Sequence, residues 1–239
     1  MRAKRFVQAA AGMFLSALIQ SASAGVFDFD FAIAPGTNPL ASEILVNGVS
    51  AHGFYIDSGQ YKDAALWRRN ESHDHGLGIC SEGTQDCIDG KGDVNEISNQ
   101  EKLEVLRLAL PAGKKWTSLW VSSLDDGGSG NNERGTLFWS NNPNPDLANL
   151  PGAQFKFAHS LLNGAEEANL FALASFPVSF DPTIKYLFFR AGPNNSGVNN
   201  DYLVWRGTLS PVPEPSAGLA ILMGCTALAM LRLRRRMTA

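Results

Sequence analysis

The sequence predicts an all-β protein, an antiparallel β-sandwich or jelly roll, flanked by an N-terminal signal helix and a C-terminal transmembrane helix. Three observations predict it. Apolar and polar residues alternate over short stretches. Clusters of Gly, Asn, Asp and Pro separate those stretches. The long uncharged apolar runs sit near the two ends, each beside a group of basic residues. Period-two patterning marks half-buried strands, and many short strands with turn chemistry between them pair through hairpins and Greek keys rather than helical crossovers.

The first end reads as a secretory signal. Arg2, Lys4 and Arg5 precede an uncharged run, Phe6 to Ile19, and Ala22-Ser23-Ala24 supplies small side chains where signal peptidase cuts. The run is short for a membrane span, which needs about 20 residues. Cleavage is expected between Ala24 and Gly25.

The other end is an extended stretch, an apolar helix and a cationic stop. Val212, Pro213, Glu214, Pro215 and Ser216 come first, held out of helix by the two prolines. Ala217 to Leu231 is uncharged, and Arg232, Arg234, Arg235 and Arg236 then hold the terminus on the cytoplasmic side. This order resembles the PEP-CTERM sorting signal of Gram-negative bacteria. The resemblance covers about Val212 to Ala239. It implies recognition and cleavage near the motif by an exosortase, a membrane cysteine transpeptidase, and it associates the chain with exopolysaccharide and biofilm. It names a route, not an activity. Exosortase, transiently the inner membrane, and exopolysaccharide are the partners so implied, and signal peptidase is the partner the leader implies. The expected product is membrane-anchored before processing, and at the cell surface or in the extracellular matrix afterwards.

Three segments follow: signal peptide 1–24, β-sandwich 25–210 and sorting tail 211–239. The whole chain carries 20 Lys+Arg and 23 Asp+Glu. The leader holds three of the basic residues, the tail from Ser216 on holds four, and neither holds an acid. Residues 25–215 are thus strongly acidic, with a net charge of −10. That argues against nucleic acid, which is bound through Lys and Arg on phosphates, and against an anionic membrane surface.

Cys225 falls in the tail, which leaves Cys80 and Cys87 as a pair in an oxidising compartment. They read as a disulfide closing a small loop, with a metal pair as the poorer alternative.

Phe27, Phe29, Phe31 and Ile33 alternate with Asp28, Asp30 and Ala32, so residues 25–34 read as a strand. Leu106, Leu108 and Leu110 alternate likewise within 104–110. Further strands are expected at 43–49, 54–57, 115–124, 136–139, 154–158, 170–180, 184–190 and 202–209, with a brief helix over Leu161 to Asn169, around Ala165 to Ala168. Trp116, Trp120, Trp139 and Trp205 read first as core, and alternatively as the wall of a sugar-binding face.

The densest polar feature runs from Gly76-Leu77-Gly78 through Asp89 to Asn99. Similar Gly-Leu-Gly turns followed by acidic stretches recur in proteins with this sorting tail, and they imply no catalytic role. Asp86, Asp89, Asp93 and Glu96 offer oxygen donors of the kind calcium takes, without the EF-hand spacing. A solvated turn is the competing and stronger reading, as it is for Asp125 to Asn132. No cofactor is otherwise expected. His73 and His75 share a face if they lie on one strand, but zinc or copper there lacks a third ligand, with only His52 and His159 left to give one. Hydrolase motifs are absent from the sequence: no Gly-x-Ser-x-Gly, no His-Glu-x-x-His, no phosphate loop. Paired carboxylates that meet only in space are not legible at this level. The sequence therefore reads as a non-catalytic exported surface or matrix protein. A carbohydrate-binding module is the alternative, and a secreted glycan hydrolase a weaker one.

Overall fold

The computed structural model describes residues 27–81, 95–99, 102–125, 133–146, 154–162, 165–177, 181, 183–192 and 200–212. The expected signal peptide, the motif from Pro213 onward, the arginine cluster, Cys87, Asp86, Asp89 and Asp93 lie outside these residues. Among the described residues no helix is long and apolar enough to cross a membrane. Val26–Ser210 forms one compact unit.

Two antiparallel sheets make the sandwich. The first contains β1 (Phe27–Asp30), β5 (Ala65–Glu71), β6 (Asp74–Cys80), β8 (Lys114–Ser122), β11 (Ala168–Asn169) and β13 (Leu203–Pro211). Its order is β11-β8-β13-β6-β5, with β1 also on β13. The second contains β2 (Glu43–Val46), β3 (Val49–Asp57), β4 (Gln60–Asp63), β7 (Leu103–Ala109), β9 (Arg134–Ser140), β10 (Gln154–Ala158) and β12 (Tyr186–Ala191). Its order is β10-β9-β12-β7-β3-β2, with β4 on β3. The β2–β3 and β3–β4 hairpins turn at Asn47-Gly48 and Ser58-Gly59, where all four residues take positive φ, as tight hairpin turns require.

The core lies between the sheets. Phe29, Leu66, Leu77, Ile79, Leu119, Val121 and Val204 of one sheet meet Ala51, Leu106, Leu108, Leu137, Leu187 and Phe189 of the other, all nearly inaccessible to solvent. Trp116 joins them, packed edge-on against Phe29 and donating its indole N–H to the Ile184 carbonyl. A smaller apolar layer of Val105, Phe138 and Phe188 sits on the outer face of the second sheet. It is roofed by Ile56, Tyr61 and Tyr186, and Arg190 lies over Phe138.

Three sequence expectations need correction. The first strand ends at Asp30, whose carboxylate accepts from the Ala32 N–H and starts a 3-10 turn over Phe31–Ile33, so Ile33 is exposed instead of sharing a face with Phe29. Residues 170–177 are a 3-10 turn and bends rather than strand, because Asn169 caps the turn by accepting from Phe171 N–H. Ala165 to Ala168 is not helical, and Ala168–Asn169 pairs with β8. Strands β4, β5 and β6 were not expected at all.

Candidate functional site

The site lies on the outer face of the first sheet, where three neighbouring strands bring polar and aromatic groups around a shallow pocket. Phe29, Asp30, Ser118, Trp120, Arg206, Gly207 and Thr208 line a volume of about 340 Å³. That is within the size range of small-ligand sites, roughly 300–1,000 Å³.

Two local slips in side-chain alternation build the pocket. On β8, Leu119 and Val121 face the core, which turns Trp120 outward. Thr117 and Ser118 are consecutive, yet both hydroxyls lie 2.7 Å from the Thr208 hydroxyl. On β13, Val204 faces the core, and Gly207 lies against Phe29 and the Ser118 carbonyl. Between them Trp205 and Arg206 both remain outside the core. Consecutive residues on one face are the mark of a bulge, a device that re-aims side chains beside functional sites.

The aromatic wall is cationic. Trp120 and Trp205 meet edge to face at 6.1 Å between ring centroids. The Arg206 guanidinium carbon lies 4.0 Å from the Trp205 ring centre and 5.0 Å from that of Trp120. His75 stacks on Trp205 at 4.9 Å. Asp30 is the cross-strand partner of Arg206. The two charges form no ion pair, because Asp30 caps its own turn while Arg206 is drawn over the indoles.

Of the tryptophans singled out from sequence, Trp116 is buried core, Trp139 packs partly buried against the core, and Trp120 and Trp205 form the outer patch. Asp30, Ser118, Arg206 and Thr208 were not singled out. The alternation in residues 27–30 places Asp30 outward, but no sequence signal brings it to Arg206.

The Gly-Leu-Gly and Asn-Glu-Ile-Ser segments turn out to be structural. Leu77 and Ile79 fill the core, and the Asn95 carbonyl and Glu96 Cα occupy the space a side chain at Gly78 would need. Asn95, Glu96, Ile97 and Ser98 are all buried, and Ile97 N–H donates to the Tyr202 carbonyl. Glu96 is therefore not a solvated ligand. Its Oε1 pairs with Arg69 and accepts from the Ser123 hydroxyl at 2.7 Å, while Arg69 also holds Asp74 at 2.6 Å. Burial and the neighbouring Asp201 carboxyl push the Glu96 carboxyl up, and Ser123 and Arg69 pull it back.

Two more buried carboxyls anchor loop ends. Glu104 accepts from the Ser81 hydroxyl and, at 2.9 Å, from Ser98 N–H, and burial pushes it up to about 8. Glu133 accepts from Asp125 N–H at 2.6 Å, and burial together with the hydrogen-bonded Asp201 raises its carboxyl well above the ordinary carboxylate range.

Cys80 is buried and disulfide-bonded. His73 lies in the turn after β5, and His75 on β6. Glu167 comes within 3.9 Å of His73 and 3.8 Å of His75, and Glu166 within 3.7 Å of His73. His52 is instead engaged with Asp63 and Arg107 on the second sheet. Among the described residues no group of three or more His, Cys, Asp or Glu is placed to hold a metal ion. No family model, no curated protein and no solved structure matches the chain.

Proposed function

We propose that the chain is an exported, non-catalytic protein of the cell surface or extracellular matrix that binds exopolysaccharide through the pocket beside Trp120. The reading combines two parts. Export and exosortase processing rest on the leader with Ala22 and Ala24, and on the Pro213-Glu214-Pro215 tail with its arginine cluster. Polymer binding rests on one observation: an indole, a guanidinium, a carboxylate and two hydroxyls converge on a shallow outer-face pocket. Sugars present an apolar C–H face and a polar rim, which such a set matches. Among the described residues that line the pocket Asp30 is the single carboxylate, whereas glycoside hydrolysis needs two across the bond. The buried carboxyls Glu96, Glu104 and Glu133 are committed to holding loops. Binding here needs no calcium.

Electrophoresis through gels containing the host's exopolysaccharide tests the binding part. The wild-type protein is expected to be retarded. Trp120→Ala is expected to bind about 30-fold more weakly, roughly 2 kcal/mol, as for loss of a central aromatic anchor. Retardation unchanged by that substitution removes the pocket from the account.

Cell fractionation tests the sorting part. In a host with an exosortase the chain is expected to be shortened at its C-terminal end and to leave the membrane fraction. Replacing Pro213, Glu214 and Pro215 by alanine is expected to leave it full-length and membrane-bound. Cytoplasmic accumulation of a full-length chain contradicts the export reading.

A further inference from the structure

We infer that the pocket selects a neutral sugar carrying two adjacent hydroxyls, held by Asp30 and Arg206 as acceptor and donor. The inference rests on the glycan-binding reading above and specifies its ligand.

The register supplies the argument. Asp30 and Arg206 are directly opposed across β1 and β13, and both line the pocket. Opposite charges so placed ordinarily close into a surface ion pair. Here they form none. Asp30 Oδ1 is held at 2.9 Å by Ala32 N–H, and Arg206 is held by the two indoles. The open pair leaves a carboxylate acceptor and a guanidinium donor facing one volume.

A vicinal diol satisfies both ends, since each hydroxyl both donates and accepts. An anionic sugar satisfies only Arg206 and sets its charge against Asp30. The excess of acids over bases in residues 25–215 adds repulsion of a polyanion at longer range. Trp120 supplies the flat apolar wall, and Ser118 and Thr208 supply the remaining polar rim.

The test uses the whole protein and a panel of defined polymers at matched ionic strength: neutral glucan, mannan and galactan against alginate and polygalacturonate. Retardation in affinity gels by at least one neutral polymer, and by neither polyuronate, is expected. Asp30→Asn keeps the acceptor that caps Ala32, and so keeps the fold, which a thermal melt verifies. Asp30→Asn and Arg206→Gln are each expected to weaken neutral-polymer binding about tenfold, the scale of a hydrogen bond to a charged group. Binding to polyuronates alone overturns the inference and leaves the glycan-binding reading intact. Undiminished neutral-polymer binding by a folded Asp30→Asn overturns the paired role of the two residues. Binding to none of the polymers, with the host's own polymer also unbound, overturns both.

Discussion

Gly78→Ala is expected to destabilise the protein by about 3–5 kcal/mol, the high end for a single substitution. Gly78 does not take positive φ, so the reason is space and not backbone freedom. A Cβ there would overlap the Asn95 carbonyl and crowd Glu96 Cα. Neither can retreat. Ile97 N–H is tied to the Tyr202 carbonyl, Ser98 to Glu104, and Glu96 to Arg69 and Ser123. Pushing Glu96 out of this network would strand Arg69 beside Asp74 alone. Gly59→Ala is the control, since open space surrounds that residue and only its φ of 79° opposes a side chain. It should cost about 1–2 kcal/mol. Urea denaturation of both variants measures the difference, and equal costs would refute the packing argument.

Stability should fall as pH rises from about 5 to about 8.5. Glu104 is moved from an ordinary 4.5 up to about 8 by burial, which the hydrogen bonds from Ser81 and Ser98 and the charge of Lys102 only partly offset. Glu96 and Glu133 are raised in the same direction. A carboxyl whose folded pKa lies above its unfolded one binds more protons in the folded state between those two values. Its stabilisation is complete below the unfolded pKa and is lost as pH climbs through the folded pKa. For Glu104 that window is 4.5 to about 8. The melting temperature at pH 8.5 is expected to be about 5–10 °C below that at pH 5, allowing a few kcal/mol for the shifted groups. General repulsion among surface acids acts in the same direction, so the scan is repeated in high salt, which screens exposed charges and not buried ones. Glu104→Gln keeps an oxygen for Ser98 N–H, turns its amide N–H toward the Ser81 hydroxyl, which can accept, and does not titrate, so it should flatten the slope. A wild-type slope absent in high salt, or unchanged in Glu104→Gln, contradicts the assignment.

The sequence is legible where one period dominates. β7 and β10 carry clear apolar spacing, β12 is a short continuous apolar run, and each appears within a few residues of its expected place. β5 and β6 were missed for physical reasons. Ala-Leu-Trp-Arg-Arg-Asn-Glu carries too much charge to read as a strand, and Asp-His-Gly-Leu-Gly-Ile-Cys carries two glycines, which weaken strand propensity. Those glycines are required by the chain that lies over Gly78 and by the Val204 and Trp205 backbone that fills the space beside Gly76. Tertiary packing overrode local preference there.

The pocket was less legible than the fold. Its members come from β1, β8 and β13, far apart in sequence, and two slips in alternation put the decisive residues side by side. A strict period-two reading would place Trp205 and Arg206 on opposite faces. The acidic stretch around Glu96 misled in the other direction. Its composition suggested solvent or calcium, while its described part is buried and tied to Arg69.

Co-sedimentation of the protein with the host's purified exopolysaccharide, in buffer with calcium and in buffer with a chelator and with Trp120→Ala run beside the wild type, decides whether the pocket beside Trp120 binds the polymer. Wild-type protein is expected to pellet with the polymer in both buffers, and folded Trp120→Ala to stay in the supernatant. Wild-type protein that stays in the supernatant in both buffers, or a Trp120→Ala variant that pellets as well as wild type, would contradict binding through that pocket.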